Sequence, residues 1–273
     1  MSETKDSFVW LNGSLQPAHL ARIHPADRGF TLGDGLFETL RVSGGIPRHA
    51  ALHLARLRQG AARLGIDVPL DDTQIVAAFR ETLTANGLTE AALRLTLTRG
   101  IGPRGVAPPP KATPTLLITA SAMVAAPEHL SAIICQTTRR NEFSPLSSIK
   151  SLNYLDNVIA RREAIARQAG DAILLNTQGF VAEASAANVF VFKNGQWLTP
   201  FMSDGALPGI LRGRLLARDT VTEGRITVDD LFAAACICFG NTLSLSTVVM
   251  LDGQQLDVNL AASAALRKVW DEI

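Results

Sequence analysis

The sequence predicts an α/β chain of the α+β type, two mixed domains with largely antiparallel sheets. Three observations carry this prediction. Short apolar runs are broken by Asn12-Gly13, Ser43-Gly44-Gly45 and Lys193-Asn194-Gly195, the punctuation of hairpins. Between them lie stretches whose apolar residues recur at helical spacing. Ala125-Ala126-Pro127-Glu128 reads as a linker, which divides the 273 residues into an N-terminal domain 1-122, a linker 123-128 and a C-terminal domain 129-273.

In chain order, Phe8-Val9-Trp10-Leu11, a segment near Arg22-Ile23 and Leu36 to Val42 read as strands. Leu54, Leu57, Ala61 and Leu64 mark a helix that Gly65 ends, and Asp71 and Asp72 precede a second helix, Thr73 to Asn86. Strands follow at Ala92 to Thr98 and Thr115 to Ser121. The glycines and prolines from Arg99 to Pro110 make the connection between them a long irregular loop, of the kind that often carries function. The second half opens with a strand, Ala132 to Thr137, and continues with a helix from Tyr154 to about Ala169. Leu155, Val158, Ile159 and Ile165 are expected on that helix's buried side. A meander follows, then a helix after Pro208, strands at Ala235 to Phe239 and Thr247 to Leu251, and a terminal helix.

Nearly half the residues are apolar and the formal charge is +1, so no global field draws in nucleic acid or an anionic membrane. Cys135, Cys236 and Cys238 are odd in number and have no disulfide framework spacing, and Cys236 and Cys238, alternating in an apolar run, read as small core residues. The segment Met1 to Ser7 has no apolar stretch of a leader, and no run is long enough to span a bilayer. A cytoplasmic protein without a metal is expected.

Lysine is scarce, with five in the chain, and Lys150 differs from the others by its place between a loop and a helix start. An amine in a partly apolar setting attacks aldehydes, and a solvated lysine is the plainer reading of the same position. Glu183 interrupts small and apolar residues, so it is either a strand-end carboxylate in water or a buried one that needs a cation. Pro208-Gly209 ahead of Ile210 and Leu211 is a helix start whose N–H groups suit a phosphate. His53 and Arg56 lie off the apolar stripe of their helix, as solvated groups or as phosphate cations. Thr242 follows a strand end with a hydroxyl. Arg99 and Arg104 suit a substrate carboxylate or, for Arg104, solvent.

Taken together and in order, these stretches resemble the class IV (fold type IV) pyridoxal phosphate enzymes. That family includes branched-chain and D-amino acid aminotransferases, R-selective amine transaminases and 4-amino-4-deoxychorismate lyase. The resemblance runs from about Val9 to Val249. It rests on Asp27-Arg28-Gly29-Phe30, Gly33-Asp34-Gly35-Leu36-Phe37-Glu38-Thr39-Leu40-Arg41, His53-Leu54-Ala55-Arg56-Leu57 and Thr98-Arg99-Gly100. It continues in Lys150-Ser151-Leu152-Asn153-Tyr154-Leu155, Val181-Ala182-Glu183-Ala184-Ser185, Asn188-Val189-Phe190 and Leu207-Pro208-Gly209-Ile210.

The resemblance implies pyridoxal 5'-phosphate between the two domains. Lys150 carries it as a Schiff base and shuttles the substrate proton. Glu183 pairs with the ring nitrogen, and Arg56, the Gly209 turn with the N–H groups of Ile210 and Leu211, and Thr242 hold the phosphate. Phe37, Arg41 and Arg104 face the substrate. The implied reaction moves an amino group from a branched-chain or D-amino acid, or a primary amine, to a 2-oxo acid in a homodimer. Phe37 stands where D-amino acid enzymes have Tyr, Val106 where they have His, and Leu211 where transaminases have Thr. The Arg99 to Gly105 loop and Asn241-Thr242-Leu243 look more like the lyase, which releases pyruvate and 4-aminobenzoate. A non-catalytic binding module on the same scaffold is the alternative of another class.

Overall fold

The structure, a computed structural model, describes residues 7–272. Lys5, the segment before Ser7 that was expected to carry no leader, and Ile273 lie outside the described residues. The chain divides into two compact units, Met1–Val124 with Ile149–Asn153, and Ala125–Ser148 with Tyr154–Ile273.

The first unit contains β1 Phe8–Leu11, β2 Ser14–Pro17, α1 Arg28–Leu32, β3 Gly35–Ser43, β4 Ile46–Pro47, α2 Ala50–Leu64, α3 Asp72–Ala85, β5 Ala91–Thr98 and β6 Thr115–Ala122. Its six strands run β2-β1-β6-β5-β3-β4, every neighbour antiparallel. Alternation along β3 turns Leu36, Glu38, Leu40 and Val42 inward, all at most 1% exposed, and leaves Phe37, Thr39 and Arg41 on the other face. Burying each such leucine contributes about 1.5–3 kcal/mol. The helix starts and stops follow local chemistry. Asp71 and Gln74 form a capping box at α3, and Gly65 closes α2 in the left-handed region at φ 61°.

The strand expected near Arg22-Ile23 does not form; that segment is irregular. The short α1 follows instead. Asp27 accepts from the Gly29 N–H to start it, and Gly33 at φ 67° ends it. Lys150 also moves relative to expectation. Residues Ile149–Asn153 belong to the first unit rather than to the C-terminal domain, because their backbone extends the sheet along the start of β3. The Phe37 N–H donates to the Lys150 carbonyl at 3.0 Å and the Leu152 N–H to the Gly35 carbonyl at 2.9 Å. A Cβ on Gly35 would lie 2.5 Å from the Leu97 carbonyl and 2.8 Å from Leu152, so only glycine lets this segment lie so close.

The second unit contains β7 His129–Ile134, α4 Leu155–Ala166, β8 Asp171–Leu175, β9 Val181–Ala184, β10 Asn188–Lys193, β11 Gln196–Thr199, α5 Ile210–Leu216, β12 Thr222–Glu223, α6 Val228–Phe232, β13 Cys236–Gly240, β14 Leu245–Leu251, β15 Gln254–Gln255 and α7 Leu260–Glu272. The sheet runs β12-β11-β10-β13-β14-β7-β8-β9, with β15 beside β14. Most of its pairs are antiparallel. The parallel ones are β11 with β12, β14 with β7, and β7 with β8. The last of these needs a crossover, and α4 supplies it. Cys236 and Cys238 are buried on β13 in the core beneath α7, as their alternation predicts.

Helix α4 turns the opposite way from its expected orientation. It packs through Asn157, Ala160 and Ala164, while Leu155 is 74% and Ile165 62% exposed and Val158 and Ile159 are also exposed. Small alanines let the helix settle onto Ile133, Ala172 and Leu174. The larger apolar stripe is therefore left on the other side.

Candidate active site

In the first unit, strand pairing fixes the Lys150 backbone and leaves its amine beside an aromatic ring. Lys150 is half-buried, and its Nζ lies 4.4 Å from the Phe37 ring centroid. The Arg94 guanidinium lies 4.0 Å from the same centroid. A ring with two cations beside it is held by cation–π attraction. Arg94 pairs with Thr39 across β3 and β5, so it shares a face with Phe37 and Arg41. The sequence reading did not single out Arg94. Its signal is modest: it is the polar residue among Leu93, Leu95 and Leu97, on the strand's other face.

His53 and Arg56 are not solvated. His53 is 1% exposed, and both converge on Glu38, which is also 1% exposed. Arg56 donates through Nε to Glu38 Oε1 at 2.8 Å and through Nη2 to Oε2 at 2.6 Å, and His53 Nδ1 lies 2.7 Å from Oε2. Burial pushes the Glu38 carboxyl up. Hydrogen bonds and charge from Arg56 and His53 more than offset this and hold it below its ordinary value. Burial pushes His53 down, with Arg56 and Lys150 adding to that, and the pull of Glu38 does not reverse it. The ring is therefore neutral at pH 7, with its proton on Nδ1, and Nε2 is a buried acceptor without a hydrogen-bond partner. Glu38 was legible in principle: an acid at the core-facing position between Leu36 and Leu40 needs a cation.

Arg99, expected to meet a substrate carboxylate, is spoken for. It is 8% exposed, grips both oxygens of Asp34, and donates to the Leu64 and Gly65 carbonyls at the end of α2. Arg104 lies exposed on the loop between β5 and β6.

In the second unit, Glu183 on β9 is 5% exposed, which removes the reading of a carboxylate in water. Its cation within the unit is Arg140, whose Nε lies 3.2 Å from Oε1. Asn157 Nδ2 approaches Oε1 at 3.5 Å, and the Leu207 N–H donates to Oε2 at 3.0 Å. Gly209 lets another group approach its backbone, and that group is Asn188. A Cβ there would lie 2.0 Å from Asn188 Oδ1, and Asn188 reaches past it to donate to the Leu207 carbonyl at 2.9 Å. Helix α5 begins at Ile210, and no side chain caps its start at Gly209. The Leu211 side chain is buried against Gly240 and Phe190, so its backbone alone is left for a ligand. Thr242 lies in the turn joining β13 and β14.

Two mixed units, a half-buried lysine fastened to a strand and a buried glutamate on another define a class of protein. The Amino-transferase class IV family matches residues 35–249, and the chain belongs to that family. A Methanocaldococcus jannaschii protein provisionally named branched-chain-amino-acid aminotransferase is 32% identical over 91% of this chain and 89% of its own. The branched-chain amino acid aminotransferase of Escherichia coli shares the fold, with a TM-score of 0.91 over 98% of this chain and 95% of that one at 23% identity. The 4-amino-4-deoxychorismate lyase of Pseudomonas aeruginosa is 30% identical, with a TM-score of 0.82 over 97% of each chain.

Proposed function

We propose that this chain is a pyridoxal phosphate-dependent aminotransferase that moves an amino group from an amino acid to a 2-oxo acid. The observation that carries the reading is the face bearing Phe37, Arg41 and Arg94, with the Lys150 amine against Phe37. Two guanidinium groups on one sheet face, Arg94 at the same Phe37 ring as the reactive amine, suit substrates that carry carboxylates. A plain primary amine would leave them unused. Each unit carries donors of the chemistry the cofactor needs: in the first, an amine for its aldehyde and the Glu38-anchored Arg56 for its phosphate, and in the second, the α5 start for a phosphate and a buried carboxylate for a ring nitrogen.

Bound pyridoxal phosphate supplies an electron sink for the charge left when the substrate α-proton departs. Lys150 holds the cofactor between turnovers and then carries that proton as general base and acid. Glu38 fixes the Arg56 guanidinium in one orientation, so little is lost in ordering it on a phosphate. Arg140 and the Leu207 N–H fix the Glu183 carboxylate in place, and Glu183 in turn holds a proton at the ring nitrogen. Thr242 adds a hydroxyl to the phosphate. Arg41, Arg94 and Arg104 hold and orient the substrate carboxylates.

Panels of D- and L-amino acids, with primary amines, offered to the loaded protein without a keto acid test this reading. Conversion of its visible absorbance to the pyridoxamine form is expected with amino acids. If no donor converts it, and aminodeoxychorismate instead yields pyruvate and 4-aminobenzoate, the aminotransferase reading is lost. The similarity to the Pseudomonas aeruginosa lyase favours that second reading.

We further infer a homodimer in which a second copy covers the stripe Leu155, Val158, Ile159 and Ile165 on α4. Light scattering of Leu155→Glu/Ile165→Glu is expected to show a shift toward monomer. Among the described residues, no helix is long and apolar enough to cross a membrane.

A further inference from the structure

The connection from β5 to β6 has no helix and no strand beyond a single bridge from Ile101 to Asp27. Its side chains face out: Val106 is 84% exposed and Arg104 is exposed. Its carbonyls face in, and carbonyls turned from water need donors. One residue supplies them. Arg28, at the start of α1 and 4% exposed, donates through Nη1 to the Gly105 carbonyl at 3.0 Å and the Ala107 carbonyl at 3.3 Å, and through Nη2 to the Val106 carbonyl at 2.8 Å.

The guanidinium is itself held. Its Nε donates to Asp34 Oδ2 at 2.8 Å, and Asp34 is gripped from the other side by Arg99. The backbone repeats the tie, with the Arg28 N–H donating to the Gly100 carbonyl at 2.8 Å and the Gly102 N–H to the Ala26 carbonyl at 3.2 Å. Gly102 makes room for the side chain, since a Cβ there would lie 2.5 Å from Arg28 Cδ. Arg28, Asp34, Arg99, Val106 and Pro108 line one cleft of about 340 Å³.

We propose that Arg28 is a positioning residue: it latches the carbonyls of Gly105, Val106 and Ala107, and so sets where Arg104 presents its guanidinium to the substrate carboxylate. The proposal rests on the reading that Arg104 meets the substrate. A hydrophobic or strand-paired loop would hold its shape through many small contacts. Here one planar fork gathers three successive carbonyls, so residues 105–107, beyond the backbone ties at Gly100 and Gly102, depend on a single side chain.

Two variants attack the latch from opposite sides. Arg28→Gln removes the fork while Asp34 keeps Arg99, so no carboxylate is stranded. Gly102→Ala keeps every charge and pushes the Arg28 stem aside. Each is expected to speed amide exchange of residues 101–108 about tenfold or more relative to the rest of the chain. Each raises KM for the amino acid and 2-oxo acid about tenfold, with kcat within about threefold and the cofactor absorbance unchanged. Because Arg28 acts through Arg104, Arg28→Gln adds little to KM in an Arg104→Ala background. Wild-type exchange in both latch variants overturns the proposal, as do KM effects of Arg28→Gln and Arg104→Ala that multiply. A raised KM in Arg104→Ala with an unchanged KM in Arg28→Gln overturns it and leaves the reading of Arg104 standing. An unchanged KM in Arg104→Ala overturns that reading, and with it the substrate half of the proposal.

Discussion

Glu38 and Glu183 are both buried strand carboxylates held by an arginine, one in each unit, and they are held differently. Glu38 is saturated: Arg56 grips both of its oxygens and His53 adds a third bond at 2.7 Å. Glu183 is held more loosely, with Arg140 at 3.2 Å, Asn157 at 3.5 Å and one backbone N–H at 3.0 Å. Saturation suits a carboxylate whose work is to aim an arginine. Looser holding suits one that still has an oxygen lobe to offer. Burial of an acid therefore does not reveal its role, whereas the geometry of its partners does.

The largest expected effect lies with neither acid. Lys150→Ala is expected to lose about a thousandfold or more in kcat, with the cofactor no longer trapped by borohydride. Glu183→Gln then separates the carboxylates from the catalytic side, with kcat falling about a hundredfold while the loaded absorbance persists. Glu38→Gln separates them from the structural side. It leaves Arg56 without its counter-charge and is expected to cost about 3 kcal/mol of stability in urea titrations. It also weakens cofactor affinity about tenfold, with kcat of the saturated enzyme nearly unchanged. If both glutamines lower kcat equally at saturating cofactor, the distinction collapses.

The smallest effect concerns pH. The Glu38 carboxyl is held below its ordinary 4.5, so its contribution to stability is complete above that value and is lost as pH falls through the lower folded value. Thermal melts from pH 6 down to about pH 3 are expected to show a flatter acid limb in Glu38→Gln than in the parent chain.

Most elements were legible because their signals are local. Gly65 ends α2, Asp71 caps α3, and the Asn12-Gly13 and Asn194-Gly195 turns join β1 to β2 and β10 to β11. The family was legible through resemblance. What escaped depends on partners distant in sequence. His53 and Arg56 looked like surface groups because Glu38, which draws them inward, is 15 and 18 residues away. Arg94 reads as a solvated strand residue until Phe37 is seen beside it. Periodicity finds the two faces of α4 and cannot say which one the sheet takes, and its alanines win because they let the helix approach closely.

The excursion of Ile149–Asn153 into the first unit has a consequence for the order of synthesis. A nascent chain stopped at Val124 already contains every regular strand of the first sheet and none of the Lys150 segment that pairs with it. The lysine arrives 26 residues later, after β7 of the other unit has left the ribosome. With domains folding as units during synthesis at roughly 5–20 residues per second, the first sheet has a second or more to form as an inert scaffold. Only then is the Lys150 segment threaded along the start of β3. The order of the sequence thus delays the Lys150 segment until there is a strand to receive it.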